Sequence, residues 1–106
     1  MRSKDKSVTT NVLEILKHQH YKTRERQMAL EEARINAEAA RLIYQLRTEI
    51  GLSQKQLAEL IGTTQSVISR LEDDDYDGHS LSMLSKITTV LKKKLVLSVV
   101  DYPLAG

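Results

Sequence analysis

The chain of 106 residues contains no cysteine and no tryptophan, a single proline and four glycines. Without Cys there is no disulfide framework, no Cys-containing zinc site and no thiol nucleophile, which fits a reducing compartment. No apolar run reaches the length of about 18 residues that a membrane helix needs. The start, "MRSKDKSVTTNVLEIL", is basic, but its apolar segment is too short and too interrupted for a signal peptide. The expectation is a soluble, cytoplasmic protein with no membrane contact. With 41% hydrophobic residues, the chain is long enough for one small domain plus an appendage and short of two full cores.

Charge is present but unevenly spread. Residues 1–47 hold ten Lys and Arg against six Asp and Glu, whereas residues 48–106 hold six against eight. A basic N-terminal half can serve nucleic acid or an acidic partner, or be no more than a solvated helix face. The scarcity of Pro and Gly, together with apolar residues at i, i+3 and i+4, predicts a mainly α chain. A first helix over about 8–28 sets Val8, Val12, Ile15 and Leu16 in register, then turns polar through "KHQHYKTRERQ". Its second half has little to bury and is expected to gain order from a partner.

A second helix begins near 30, carries Ala39, Ile43, Leu46 and Ile50 on one stripe, and ends at Gly51. In "LSQKQLAELIG", Ser53 and Gln56 form a capping box, Leu57, Leu60 and Ile61 face inward, and Gly62 is the stop. Thr63 and Thr64 offer an N-cap to a short helix that buries Val67, Ile68 and Leu71. After the acidic loop "EDDDYDG", Ser80 caps a helix bearing Leu81, Leu84, Ile87 and Leu91. "KLVLSVVDY" lacks helical spacing, is rich in β-branched residues and precedes Pro103, so about 94–101 reads as a strand. A lone strand has no sheet to join. Pairing with the same strand of a second copy would satisfy it in a homodimer, with Leu95, Leu97 and Val99 at the interface; a tail folded over its own helices is the alternative. The domain organisation expected is a helical extension over 1–32, a helix-turn-helix domain over 33–92 and a dimerisation strand over 93–106.

Two short helices joined by a Gly-containing turn, the second apolar inside and polar outside, have the form of a helix-turn-helix. Gln65, Ser66, Ser69 and Arg70 lie on the outer side of the second helix. These are residue types that read base edges: Gln pairs with adenine, Arg with guanine, Ser with several bases. An ordinary helical hairpin with a polar surface is the competing explanation. No constellation supports an enzyme. His18 and His20, two residues apart, point to different helix faces; His79 has no partner identifiable from sequence, Tyr44 reads as packing, and no metal or other cofactor is implied.

"GLSQKQLAELIGTTQSVISRLE" resembles, position by position, the helix-turn-helix of the Cro and phage-repressor class, the XRE family. Gln54, the Leu57-Ala58 pair, Gly62, Gln65, Ile68, Ser69 and Glu72 match its recurring pattern. The resemblance covers about 35–92 and implies a lambda-repressor-like bundle. It implies that Gln54 and Thr64 bind phosphates, that Gln65, Ser66 and Arg70 face bases with Ser69 beside them, and that Ala58 lets the two helices approach. A narrower likeness, in "EEARINAEAARLIYQLR", "TTQSVISRLED", "GHSLSMLSKI" and "KKLVLSVV", is to antitoxins of the HigA type. HipB-type antitoxins are similar in their C-terminal strand. This likeness implies a repressor of its own operon that neutralises a RelE/HigB-like toxin, and pairing of the strands in a dimer would make its double-stranded DNA operator an inverted repeat. The N-terminal extension, which lies outside the part needed for DNA, would then be the toxin-binding segment, with the outer faces of the core helices as the alternative. A free-standing XRE regulator, or an interaction module that keeps the fold as scaffold, are the alternatives. Asp73, Asp74, Asp75 and Asp77 depart from the family pattern; they serve either the turn itself or a basic partner.

Overall fold

A computed structural model describes residues 2–101, with side chains from residue 11 onward. The side chain of Val8, expected on the first apolar face, and Pro103, expected to end the strand, lie outside the described residues. The helices, in chain order, are α1 (Arg2–Ile50), α2 (Gln54–Ile61), α3 (Gln65–Leu71) and α4 (Leu81–Val90). Contacts divide the chain into two units, residues 1–35 and residues 36–106.

The two N-terminal helices expected from the sequence are one. Between residues 2 and 50 there is neither Gly nor Pro, and Ala, Leu, Glu, Lys, Arg and Gln dominate, so no residue interrupts the hydrogen-bond ladder near position 29. In the first unit the side chains of residues 11–30 are all exposed, including Val12, Leu13, Ile15 and Leu16.

The second unit holds the core. Ile43 from α1, Leu57, Ala58 and Ile61 from α2, Ile68 and Leu71 from α3, and Ile87 with Leu91 from α4 form one buried cluster. Ile43, Leu57, Ile68 and Ile87 are its largest fully buried side chains. Each stripe recurs at three- and four-residue spacing, as helical packing requires. Three residues expected inside are outside. Leu60, Ile50 and Leu81 are all exposed: Ile50 lies in the last turn of α1 and Leu81 in the first turn of α4, while Leu60 is off the azimuth of Leu57 and Ile61.

Local chemistry fixes the ends of these helices. Ser53 Oγ accepts from Gln56 N at 3.0 Å while Gln56 Oε1 accepts from Ser53 N at 2.8 Å, a complete capping box. Ser80 Oγ accepts from Met83 N at 3.1 Å. Gly51 and Gly62 have φ of 86° and 82°, a left-handed conformation that costs an L side chain about 1–2 kcal/mol. At each, the following N–H reaches back five residues in Schellman fashion: Leu52 N to Arg47 O at 3.0 Å and Thr63 N to Ala58 O at 2.9 Å. The same closure ends α4 with Lys93 N to Thr88 O at 2.7 Å, and here Lys92 takes the left-handed position at φ 59°.

Residues 94–101 form no helix and no strand in the single chain, whereas the sequence predicts a strand. A strand requires a partner ladder, and among the described residues no other extended segment is available to supply one. Leu95 is half-buried beside Leu42 and Leu46 of α1, while Val96, Leu97, Val99 and Val100 are exposed.

Candidate nucleic-acid interface

α2 and α3 are joined by Gly62, Thr63 and Thr64, and the left-handed Gly62 turns the chain sharply enough for Leu57 and Ala58 to meet Ile68 and Leu71 in the core. Ala58, 2% exposed, stands at this junction and leaves no room for a longer side chain. The apolar face of α3 is thereby committed inward. Its other face carries Gln65, Ser66, Ser69 and Arg70, all exposed. None of these four side chains makes a hydrogen bond or ion pair within the described residues.

Thr64 is the N-cap of α3. Its Oγ1 accepts from Val67 N at 3.3 Å, which leaves the hydroxyl proton to donate outward. The first amides of α3, Gln65 and Ser66, have no acceptor among the described residues, as expected of a helix start. The structure thus brings Thr64, Gln65, Ser66, Ser69 and Arg70 together on one exposed surface.

Gln54, unlike that group, has a partner within the chain. It is half-buried at the start of α2, and its Nε2 donates to Glu72 Oε1 at 3.2 Å. Glu72 in turn is held by Arg47 in a two-pronged pair, Nε to Oε2 at 2.6 Å and Nη2 to Oε1 at 2.9 Å. Arg47 Nη1 also donates to Leu52 O at 2.8 Å, and its guanidinium lies 5.4 Å from the centre of the Tyr44 ring. With side chains 11% and 5% exposed, the pair is close to fully desolvated. The hydrogen bonds that Arg47 donates to Glu72 raise its pKa above the ordinary value, outweighing the opposing effect of burial. The network ties the end of α1 to the end of α3 and the start of α2, and orients the Gln54 amide.

Sequence reasoning marked Glu72 but missed Arg47 as its partner. The signal was present: Arg47 follows Ala40 and Ile43 on the buried stripe of α1, a place where a charge is tolerated only if paired. His79, read as partnerless, is not: its Nε2 donates to Leu71 O at 2.6 Å and its ring meets Tyr76 edge-on at 5.2 Å. Both contacts brace the loop that follows α3. Tyr76 lies over Gly78, where an added Cβ would collide with the Tyr ring and hydroxyl.

Within the acidic loop, Asp73 Oδ1 accepts from Asp75 N at 2.9 Å and Asp73 O from Tyr76 N at 3.0 Å, so Asp73 serves the turn. Asp74 approaches Arg41 only at 4.0 Å, with both side chains exposed, a contact worth little in water. No group of three or more His, Asp or Glu that could hold a metal ion occurs among the described residues. Nor is any described helix long and apolar enough to cross a membrane.

Comparison with known proteins places this geometry in a family. Residues 43–97 match the family model HTH_3, a helix-turn-helix. No curated protein and no solved structure matches the chain significantly. The matched span runs from the last turns of α1 through α2, α3 and α4 and covers more than half of the chain, so the protein belongs to the XRE-type helix-turn-helix family of DNA-binding domains.

Proposed function

We propose that the protein is a sequence-specific DNA-binding antitoxin that represses its own operon and neutralises a RelE/HigB-type mRNA interferase. The observation that carries the DNA-reading part is the outer face of α3. Gln65, Ser66, Ser69 and Arg70 are exposed with every side-chain donor and acceptor unused, beside a Thr64 hydroxyl free to donate. Those groups match what a recognition helix needs in the major groove, with Gln54, Thr64 and the first amides of α3 toward phosphate.

Two copies would present two such helices. The apolar segment 94–101, with Leu97 and Val99 exposed and Leu95 half-buried, supports pairing of the two segments as an antiparallel ribbon about a two-fold axis. The operator is then an inverted repeat with half-sites about one helical turn apart, or a multiple of it. The toxin-binding part rests on the sequence resemblance to HigA-type antitoxins. The exposed apolar residues Val12, Leu13, Ile15 and Leu16 of the N-terminal extension supply a surface for that partner.

The test is duplex binding by Gln65→Ala and Arg70→Ala. Each should lose about 1–3 kcal/mol on the cognate site and relax discrimination at the matching base pair. A protein that used the fold only as scaffold would be indifferent to both changes.

A further inference from the structure

The stretch Lys17 to Arg26 of α1 is strongly basic. It holds Lys17, Lys22, Arg24 and Arg26 against a single acid, Glu25, and every side chain in it is exposed. None of the four cations forms an ion pair within the described residues, in contrast to Arg34, Arg41 and Arg47, which face Glu31, Asp74 and Glu72. Nothing in the first unit packs against these turns, and a helix without packing is marginal in water. Four like charges crowded on under three turns oppose the helix further.

The positions of the charges suggest what offsets that cost. At about 100° per residue, Lys17 and Arg24, seven apart, lie within roughly 20° of one azimuth, and Lys22 and Arg26, four apart, lie within roughly 40° of another. The two pairs are about 170° apart, on opposite sides of the helix. One flat anionic surface would engage a single side. A helix lying lengthwise in a major groove about 12 Å wide is instead flanked by phosphates of both strands, and its own diameter of about 10–12 Å fills that space.

We propose that residues 17–26 are a second DNA-contacting element, in which Lys17 with Arg24 and Lys22 with Arg26 contact phosphates on the two walls of a groove. This rests on the reading of the protein as a DNA binder, and it assigns the basic turns to nucleic acid rather than to a protein partner. The contacts carry no base information. They add affinity and salt dependence to whatever sequence α3 reads.

The experiment is the salt dependence of binding by the full chain to a labelled duplex from upstream of its own gene and to a scrambled duplex of equal length. The proteins are wild type, Lys17→Gln/Arg24→Gln, Lys22→Gln/Arg26→Gln, the quadruple variant and Gln65→Ala. Glutamine keeps the helix propensity of these exposed positions. Each phosphate contact contributes about 0.9 to the slope of log K against log salt. For each bound protomer, each double variant should therefore flatten the slope by about 2 and the quadruple by about 4, equally on both duplexes, while Gln65→Ala removes the preference for the native duplex and leaves the slope in place. A quadruple variant with the wild-type slope, or loss from one pair only, overturns the proposal, and an intact Gln65 effect in that case leaves the reading of α3 standing. Capture of an acidic protein through these residues with no change in slope overturns it in favour of a protein partner. No duplex binding by the wild-type chain at low salt overturns this proposal and the DNA-binding reading together.

Discussion

Removing the Glu72 carboxylate should be among the most damaging single changes to the second unit. In Glu72→Ala, Arg47 keeps Leu52 O and the Tyr44 face but loses both short bonds, at 2.6 and 2.9 Å, in a place where its side chain is 11% exposed. Stranding one member of a buried ion pair costs about 3–5 kcal/mol. The unit spans residues 36–106, and at roughly 0.05–0.15 kcal/mol per residue its whole stability is about 4–11 kcal/mol. The substitution therefore takes a large part of the margin. Replacing the pair as a whole behaves differently, since apolar side chains of similar volume avoid the desolvation of two charges. Arg47→Met/Glu72→Leu should recover most of the loss. Urea denaturation followed through the amide resonances of the buried Leu57 and Ile68 reads this unit independently of the rest of α1. A loss below about 1 kcal/mol in Glu72→Ala, or a double variant no better than the single, would refute the view that a desolvated pair clamps α1 to α3.

Three other expectations follow from the same structure. Ala58→Leu should overpack the α2–α3 junction and lower stability by about 1–3 kcal/mol, with a parallel loss of DNA affinity because α3 is re-aimed; a neutral effect in denaturation would show that the junction is looser than the 2% exposure of Ala58 indicates. On the proposed pairing of residues 94–101 between two copies, Leu97→Asp should shift sedimentation from dimer to monomer and weaken binding to an inverted-repeat duplex; a fully dimeric variant that still binds its operator would refute strand pairing. Reversing Asp74 and Asp75 to Lys should tighten DNA binding by removing charges that oppose phosphate, and stability should hold because both are exposed. Unchanged affinity for the proposed toxin partner in that variant would assign the acids to the turn alone.

Periodicity and caps made most of the second unit legible. Ser53 with Gln56, Thr64, Ser80, Gly51 and Gly62 are local signals, each a residue type required by the backbone at that point, and each does in the structure what its chemistry predicts. The buried faces of α2 and α3 were readable for the same reason, except Leu60, which shares an apolar run with Leu57 and Ile61 but sits off their azimuth. The non-local interactions were not legible. Arg47 and Glu72 are 25 residues apart, and His79 meets Leu71 O across a loop of irregular conformation. The boundary expected near residue 29 failed because exposure alone does not stop a helix whose residues all favour it. Residues 94–101 have strand composition but no partner in one chain, so their conformation depends on what they meet.

The central claim, that α3 reads base sequence, is tested most directly by fluorescence anisotropy of the full chain against a labelled duplex from upstream of its own gene and a scrambled duplex of equal length, at two salt concentrations. The account predicts tighter binding to the native duplex and loss of that preference in Gln65→Ala, with weakening of both complexes as salt rises. Equal, weak binding to both duplexes, unaltered by Gln65→Ala, would contradict it.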